Sequence, residues 1–123
     1  NALVTVTLSG TALRELLEQA VQGAGRPSLE VAGAQVRYDP GRPAGRRVQS
    51  IRLQGNRKLD PRERYRVALP DYLARGGDGF ARLATVPAEP SGMLDVDALR
   101  DFLRRLPQPV EVAPGSGFVS TRP

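Results

Sequence analysis

From Ala2 to Leu8 the chain alternates. Ala2, Val4, Val6 and Leu8 fall on one parity and Thr5 and Thr7 on the other, the period-two pattern of a strand with one wet face. Ser9-Gly10-Thr11 breaks the period and supplies hydroxyls able to cap a helix. The spacing of Leu13, Leu16, Leu17, Ala20 and Val21 then predicts a helix that buries one face. Arg14 and Glu18 stand four apart on its wet face, and Gly23 and Gly25 end it. Leu29 to Tyr38 reads as a second strand. Its apolar parity changes between Leu29 and Val31 and the later set Ala34, Val36 and Tyr38, with Gly33 at the switch, so a bulge is expected there. The stretch 39–45, rich in Pro, Gly and Arg, is a loop. Val48 to Leu53 predicts a third strand, and Gly55-Asn56 begins a turn toward a fourth strand with Tyr65, Val67 and Leu69. The third and fourth strands are expected to pair as a hairpin.

Further on, Pro70-Asp71 closes the fourth strand and starts a short helix over Tyr72 to Arg75, followed by the tight loop Gly76-Gly77-Asp78-Gly79. Asp95 is placed to cap a last helix, in which Val96, Leu99, Phe102, Leu103 and Leu106 form the expected buried stripe. Pro107 and Pro109 stop it. Val110 to Val112 and Phe118-Val119 supply a final short strand. Strands and helices alternate irregularly and hairpin-like connections dominate. The expected class is α+β: a single domain with a mixed or antiparallel sheet, two longer helices and one short one.

Composition narrows the chemistry more than the fold. The 123 residues suit one domain, and apolar and charged fractions of 40% and 25% are ordinary for a globular chain. The apolar runs are too short to span a membrane, and no secretion leader precedes the first strand. The chain opens on Asn1, already inside a strand pattern, as expected of a processed or excised segment. There is no cysteine, which excludes disulfides, zinc–thiolate sites and thiol catalysis. There is no histidine, which excludes a Ser–His triad, a histidine-based metal site and a histidine base. If the parent is a hydrolase, its bond-breaking groups lie elsewhere. The net charge of +5 is carried almost wholly by arginine, so nucleic acid has to be considered as a partner. The arginines are scattered among Asp and Glu, however. The densest run, Arg57, Lys58, Arg62, Arg64 and Arg66, is broken by Asp60 and Glu63, has no stacking aromatic beyond Tyr65, and reads as a solvated hairpin face.

Three features bear on function. In the run from Asp71 to Phe80 a short helix presents Tyr72 and a glycine-rich loop presents Asp78. An aromatic face stacks on a nucleobase, and a carboxylate accepts hydrogen bonds from a ribose diol. Six residues apart, on either side of a tight loop, the two are able to converge on one ligand. Pattern alone equally gives a structural or calcium-like turn. The second feature is Asn1, whose side chain offers a donor and an acceptor suited to a base edge, although a terminal residue is by default simply exposed. The third, Tyr38-Asp39 at a strand end, reads as a core-packed aromatic beside a turn-forming Asp. Phe80 is expected in the core with Leu83, and Met93 as a gap-filler.

Taken in order, Asn1 to Gly10, the following helix, Leu29 to Asp39, Leu59-Asp60-Pro61, Tyr65 to Ala68 and Gly76-Gly77-Asp78-Gly79-Phe80 resemble the C-terminal domain of 5'-nucleotidases, a family with UDP-sugar hydrolases and 2',3'-cyclic-nucleotide phosphodiesterases among its members. The resemblance covers most of the chain. It implies that residues 1–123 are the substrate-binding C-terminal domain, lacking its own N-terminal start and the metallophosphoesterase domain. That absent domain would hold two divalent metal ions and cleave the phosphate ester. By the same resemblance Tyr72 stacks on the base, Asp78 binds ribose hydroxyls, Asn1 touches the base and Gly25 contacts the ligand. No residue here is catalytic or a metal ligand. Relatives usually carry Phe where Tyr72 stands. A first stacking aromatic and the phosphate-binding arginines would lie upstream of Asn1, and with the chemistry in the absent domain the fragment alone is expected to be inactive. The implied partners are a nucleotide or nucleoside and the N-terminal domain, with no membrane and no nucleic acid, and the implied location is the periplasm, the cell surface or the medium. Two alternatives stand beside this reading: a structural lid on a related metallophosphoesterase with a non-nucleotide substrate, and, last, a basic nucleic-acid-binding module.

Overall fold

The computed structural model describes residues 1–109 and 117–123. In chain order the elements are β1 (Ala2–Ser9), α1 (Gly10–Ala20), β2 (Ala34–Tyr38), β3 (Val48–Leu53), β4 (Arg57–Lys58), β5 (Arg64–Pro70), α2 (Asp71–Ala74), β6 (Ala88–Leu94), α3 (Asp95–Arg104) and β7 (Phe118–Ser120). Short 3-10 turns occupy Gln54–Asn56, Gly77–Gly79 and Ala81–Thr85. The class is α+β, with two longer helices and one short one, as the pattern predicted. The strands divide between two sheets, one in each of two compact units: residues 1–8 with 64–113, and residues 9–63 with 114–123.

The first unit is built on a three-stranded sheet in the order β5-β1-β6. The alternation in β1 holds: Val4, Val6 and Leu8 are buried, in a core with Leu69, Ala74, Phe80 and Leu83. β6 runs antiparallel to β1, with Val4 opposite Pro90 and Val6 opposite Ala88. An irregularity between Ala2 and Val4 brings Leu94 opposite Ala2. Pro90 is tolerated because β6 is the edge strand of this sheet. Asp95 is the first residue of α3 rather than its cap. Leu94 holds the cap position, and the Asp95 carboxylate accepts the N–H of Val96 at 2.7 Å. Asp95 and Asp97 in the first turn and Arg104 in the last complement the helix dipole.

The stripe of α3 is the clearest departure from expectation. Val96, Leu99 and Phe102 are 53%, 55% and 57% exposed, and the helix buries none of its residues. Met93, expected to fill a gap, is exposed as well. Amphipathic spacing specifies which side of a helix is suited to burial, not what covers it.

The second unit carries a four-stranded mixed sheet, β4-β3-β2-β7, with β2 antiparallel to β3 and parallel to β7. Val36 pairs with both Ile51 and Phe118, and Val36, Tyr38, Val48 and Ile51 join Leu13, Leu17, Ala20 and Val21 in the core. Ser9 caps α1, its hydroxyl accepting the Ala12 N–H at 3.1 Å. Gly10 is glycine because the main chain of Asp60 and Pro61 occupies the place of a Cβ, while its N–H donates to the carbonyl of Glu63 at 2.9 Å. Arg14 and Glu18, expected to face each other across the wet side of α1, both reach β3 instead. Arg14 donates to the Val48 carbonyl at 3.0 Å, and the Glu18 carboxylate accepts the N–H groups of Arg47 and Val48 at 2.6 and 2.9 Å.

Two strand predictions need correction. β2 begins at Ala34, not Leu29, because its partner β3 ends at Leu53 opposite Ala34 and offers no ladder to earlier residues. Gly33 takes φ +84° as an entry turn rather than a bulge. The expected hairpin between β3 and the strand over 64–70 does not form. β3 folds back onto the two-residue β4, pairing Leu53 with Arg57 and Arg52 with Lys58, through Gly55 and Asn56 at φ +76° and +60°. A turn at Asp60, whose carboxylate accepts the Arg62 N–H at 2.9 Å, then ends the pairing. β5 joins β1 in the other sheet. The predicted strand over Val110–Val112 lies outside the described residues, whereas Phe118-Val119 do form β7.

Candidate functional site

Tyr72 and Asp78 meet. Pro70 holds an extended φ/ψ ahead of α2, and α2 lasts a single turn because Gly76 enters the left-handed region at φ +94°. The chain then doubles back through Gly77–Gly79, and the Tyr72 hydroxyl donates to Asp78 Oδ1 at 2.9 Å. Asp78 itself sits at φ +55°, a left-handed conformation that Asp and Asn adopt more readily than other side-chain-bearing residues. Non-glycine residues held there concentrate at ligand-binding and catalytic sites. Gly79 follows at φ +84°.

The ring is seated as well as tethered. A Cβ on Gly77 would lie 2.5 Å from the Cε1 and Cζ atoms of Tyr72, so the phenol ring lies directly on the main chain of that glycine. Tyr72 nonetheless remains 46% exposed. The result is an aromatic plate backed by glycine and open to solvent, with an exposed carboxylate at its hydroxyl edge. A carboxylate has about four acceptor positions, so after accepting the Tyr72 hydrogen bond Asp78 can still receive a pair of hydroxyls. Below the loop, Phe80 and Leu83 are buried and anchor it, as expected.

Asn1 has an exposed side chain, while its carbonyl accepts the Asp95 N–H at 2.9 Å. Gly25 belongs to the second unit, in the exposed segment after α1. A Cβ there would meet nothing within 4 Å, so the local fold makes no demand for glycine. Tyr38 and Asp39 are structural. Tyr38 packs edge-on against Phe118 at 6.3 Å, and Asp39 closes its turn by accepting the Gly41 N–H at 2.8 Å. Arg122 grips the same carboxylate, donating to Oδ2 at 3.2 Å and to Oδ1 from Nε. The Arg122 hydrogen bond, supported by that from Gly41, holds the Asp39 carboxyl below the usual carboxylate range.

Among the described residues no three Asp or Glu side chains gather as a metal-binding group. Asp95 is engaged at the start of α3, and Asp97 lies 3.6 Å from Arg100. The exposed cations of the 57–66 run are solvated as expected, although they lie on two separate strands and the turn at Arg62 rather than on a hairpin. Sequence reading did not single out Gly77 as the seat of the ring. The available signal was the doubled glycine ahead of Asp78: Gly76 satisfies the left-handed turn, and Gly77, with no positive φ, is left for contact.

A family model described as "5'-nucleotidase, C-terminal domain" matches residues 1–85. A probable 5'-nucleotidase of Treponema pallidum is 35% identical over 120 residues, covering 85% of this chain and 20% of that protein. A snake venom 5'-nucleotidase of Naja atra is 32% identical over 110 residues, covering 80% of this chain and 21% of that protein. Among solved structures, a 5'-nucleotidase precursor from Thermus thermophilus superposes with a TM-score of 0.87 at 28% identity, over 100% of this chain and 26% of that one. The chain thus spans between a fifth and about a quarter of these three proteins.

Proposed function

The chain belongs to the 5'-nucleotidase C-terminal-domain family, and from that premise we propose that it is the nucleoside-gripping part of a longer, metal-dependent phosphoric monoester hydrolase. The observation that carries the reading is the Tyr72 ring, laid on Gly77, half open to solvent and tied to Asp78. The plate stacks on the base and the carboxylate receives the ribose diol. Asn1 reaches the base edge, and Gly25 lets a ligand approach the main chain without a side chain in the way.

The chain has no His or Cys, and among the described residues no carboxylate cluster fit to hold a metal ion forms. The two divalent ions, the phosphate-holding arginines and the second stacking aromatic are assigned to the remainder of the longer protein. What this chain supplies is positioning. Binding energy from the nucleoside, which does not itself react, offsets the entropy of orienting the phosphate for attack. The venom relatives support an exported protein, and no helix among the described residues is long and apolar enough to cross a membrane.

The test is a substrate comparison in the complete protein. Base–aromatic stacking contributes ~1–3 kcal/mol, so Tyr72→Ala is expected to raise KM for AMP by about 5- to 150-fold. Hydrolysis of a small aliphatic phosphomonoester with no base to stack should change little. An unchanged KM for AMP refutes the reading.

A further inference from the structure

Two apolar features belong to the first unit. One is a pocket of about 550 Å³ whose walls include Ala2, Val4, Ala74, Val86, Ala88 and Pro90. The other is the exposed stripe of α3. Leu94 links them along the chain. Lying opposite Ala2 in the β1–β6 register, Leu94 falls on the same side of the sheet as that pocket residue, and α3 departs from it. Leu94, Val96, Leu99 and Phe102 are all about half exposed. Such a stretch of apolar surface on a folded chain marks a contact. The charged residues Asp71 and Arg75 also belong to the pocket wall, and one of them carries an unmet polar demand. The Oδ1 of Asp71 is buried without a hydrogen-bond partner while Oδ2 lies 3.4 Å from Arg75 Nη1. A buried carboxylate oxygen left in that state calls for a donor.

The occupant is indicated by where Asn1 sits. Ala2 lines the pocket, and the carbonyl of Asn1 accepts the N–H of Asp95, the first residue of α3. A residue joined to the nitrogen of Asn1 therefore begins between the pocket and the stripe. The proteins matched above are several times longer than the part they share with this chain. We propose that the pocket and the α3 stripe form one docking face for the stretch of the complete protein immediately preceding Asn1. That stretch seats apolar side chains against Ala2, Val4, Leu99 and Phe102 and presents an N–H or hydroxyl donor to Asp71 Oδ1. The proposal holds whether or not Tyr72 and Asp78 bind a nucleoside.

A photo-crosslinking benzoylphenylalanine replacing Leu99 in the complete protein, with one replacing the exposed Asp101 as the wet-face control, tests it. The expected result is a crosslink from position 99, stronger than from position 101, to a peptide that precedes Asn1. Crosslinks confined to residues 1–123, a product of doubled mass showing a second copy on the face, or no preference for position 99 over 101 would each overturn it. If the replacement prevents folding, hydrogen exchange of the unsubstituted complete protein gives the answer. A covered α3 exchanges only with global opening, and α3 amides that exchange as fast as those of an exposed, unpacked helix end the proposal.

Discussion

At the scale of single residues, the candidate site is a small device for holding one ring and one carboxylate in fixed relation. Gly77 is its least conspicuous part. Because a Cβ there would stand 2.5 Å from the Tyr72 ring, Gly77→Ala should displace the ring without changing the chemistry of any ligand-facing side chain. The expected outcome in the complete protein is a raised KM for AMP with little change in kcat, and an unaltered KM would show that the ring position does not matter. Asp78 allows a cleaner substitution. Its φ of +55° is one that Asn adopts comparably well, so Asp78→Asn removes the charge without straining the loop. Hydrogen bonds to charged groups contribute ~1.5–3 kcal/mol, which predicts about a 10- to 150-fold loss of affinity for AMP. A nucleotide lacking one ribose hydroxyl should lose less on this substitution than AMP does. Equal losses for both ligands, measured by calorimetry, would remove the diol from the account. The sequence made this pair legible because aromatics are scarce and a carboxylate flanked by glycines is conspicuous. It could not show that the Tyr72 hydroxyl turns back onto Asp78, since that depends on the loop reversing through two left-handed residues.

At the scale of elements, what was legible followed local physics and what was not depended on partners. β1, α1 and β3 appear where period and capping place them, because each buries one face in its own unit and Ser9 marks the boundary between the first two. The start of β2, the partner of β3 and the cover of α3 were not legible, because none of them is a property of the segment itself. Glu18 makes the point in one side chain. Its helical spacing from Arg14 suggests a surface ion pair worth a few tenths of a kcal/mol, yet in the fold it accepts two main-chain N–H groups at the start of β3. The same holds for Arg122, far along the chain from the Asp39 turn it grips. A pH dependence belongs to that contact. The folded-state pKa of Asp39 is lowered, first by the Arg122 hydrogen bond and then by the Gly41 N–H. Its contribution to stability is therefore present above the ordinary Asp value of about 3.9 and is lost as pH falls through the depressed folded value. The melting temperature of the native chain should exceed that of Arg122→Gln at neutral pH, with the gap narrowing in acid. A gap that stays constant down to about pH 2.5, well below the ordinary Asp value, would show that Arg122 acts only by packing on Gly41.

At the scale of the whole molecule, the question is how binding and bond-breaking are divided. The charge balance left nucleic acid open, but the arginines are spent on scattered exposed positions and on main-chain carbonyls. Arg14 donates to Val48, and Arg47 donates to Arg42, Val21 and Gly23. The proposed site consists chiefly of an open ring and a carboxylate, groups suited to orienting a substrate rather than attacking it. Phosphate-ester hydrolysis needs a nucleophile generated near neutral pH and stabilisation of the charge that develops on the phosphoryl oxygens. The chain has no histidine or cysteine to supply either, and its described carboxylates do not assemble as ligands. The 123 residues alone, supplied with Mg²⁺, Mn²⁺ or Zn²⁺ and millimolar AMP, are therefore expected to release no phosphate above the buffer rate. The complete protein, assayed alongside, should turn over AMP at a rate ordinary for an enzyme, roughly 1–10³ per second. Phosphate release by the 123 residues that scales with their concentration and survives repurification would place the chemistry in this chain. It would also require a catalytic constellation that the described geometry does not assemble.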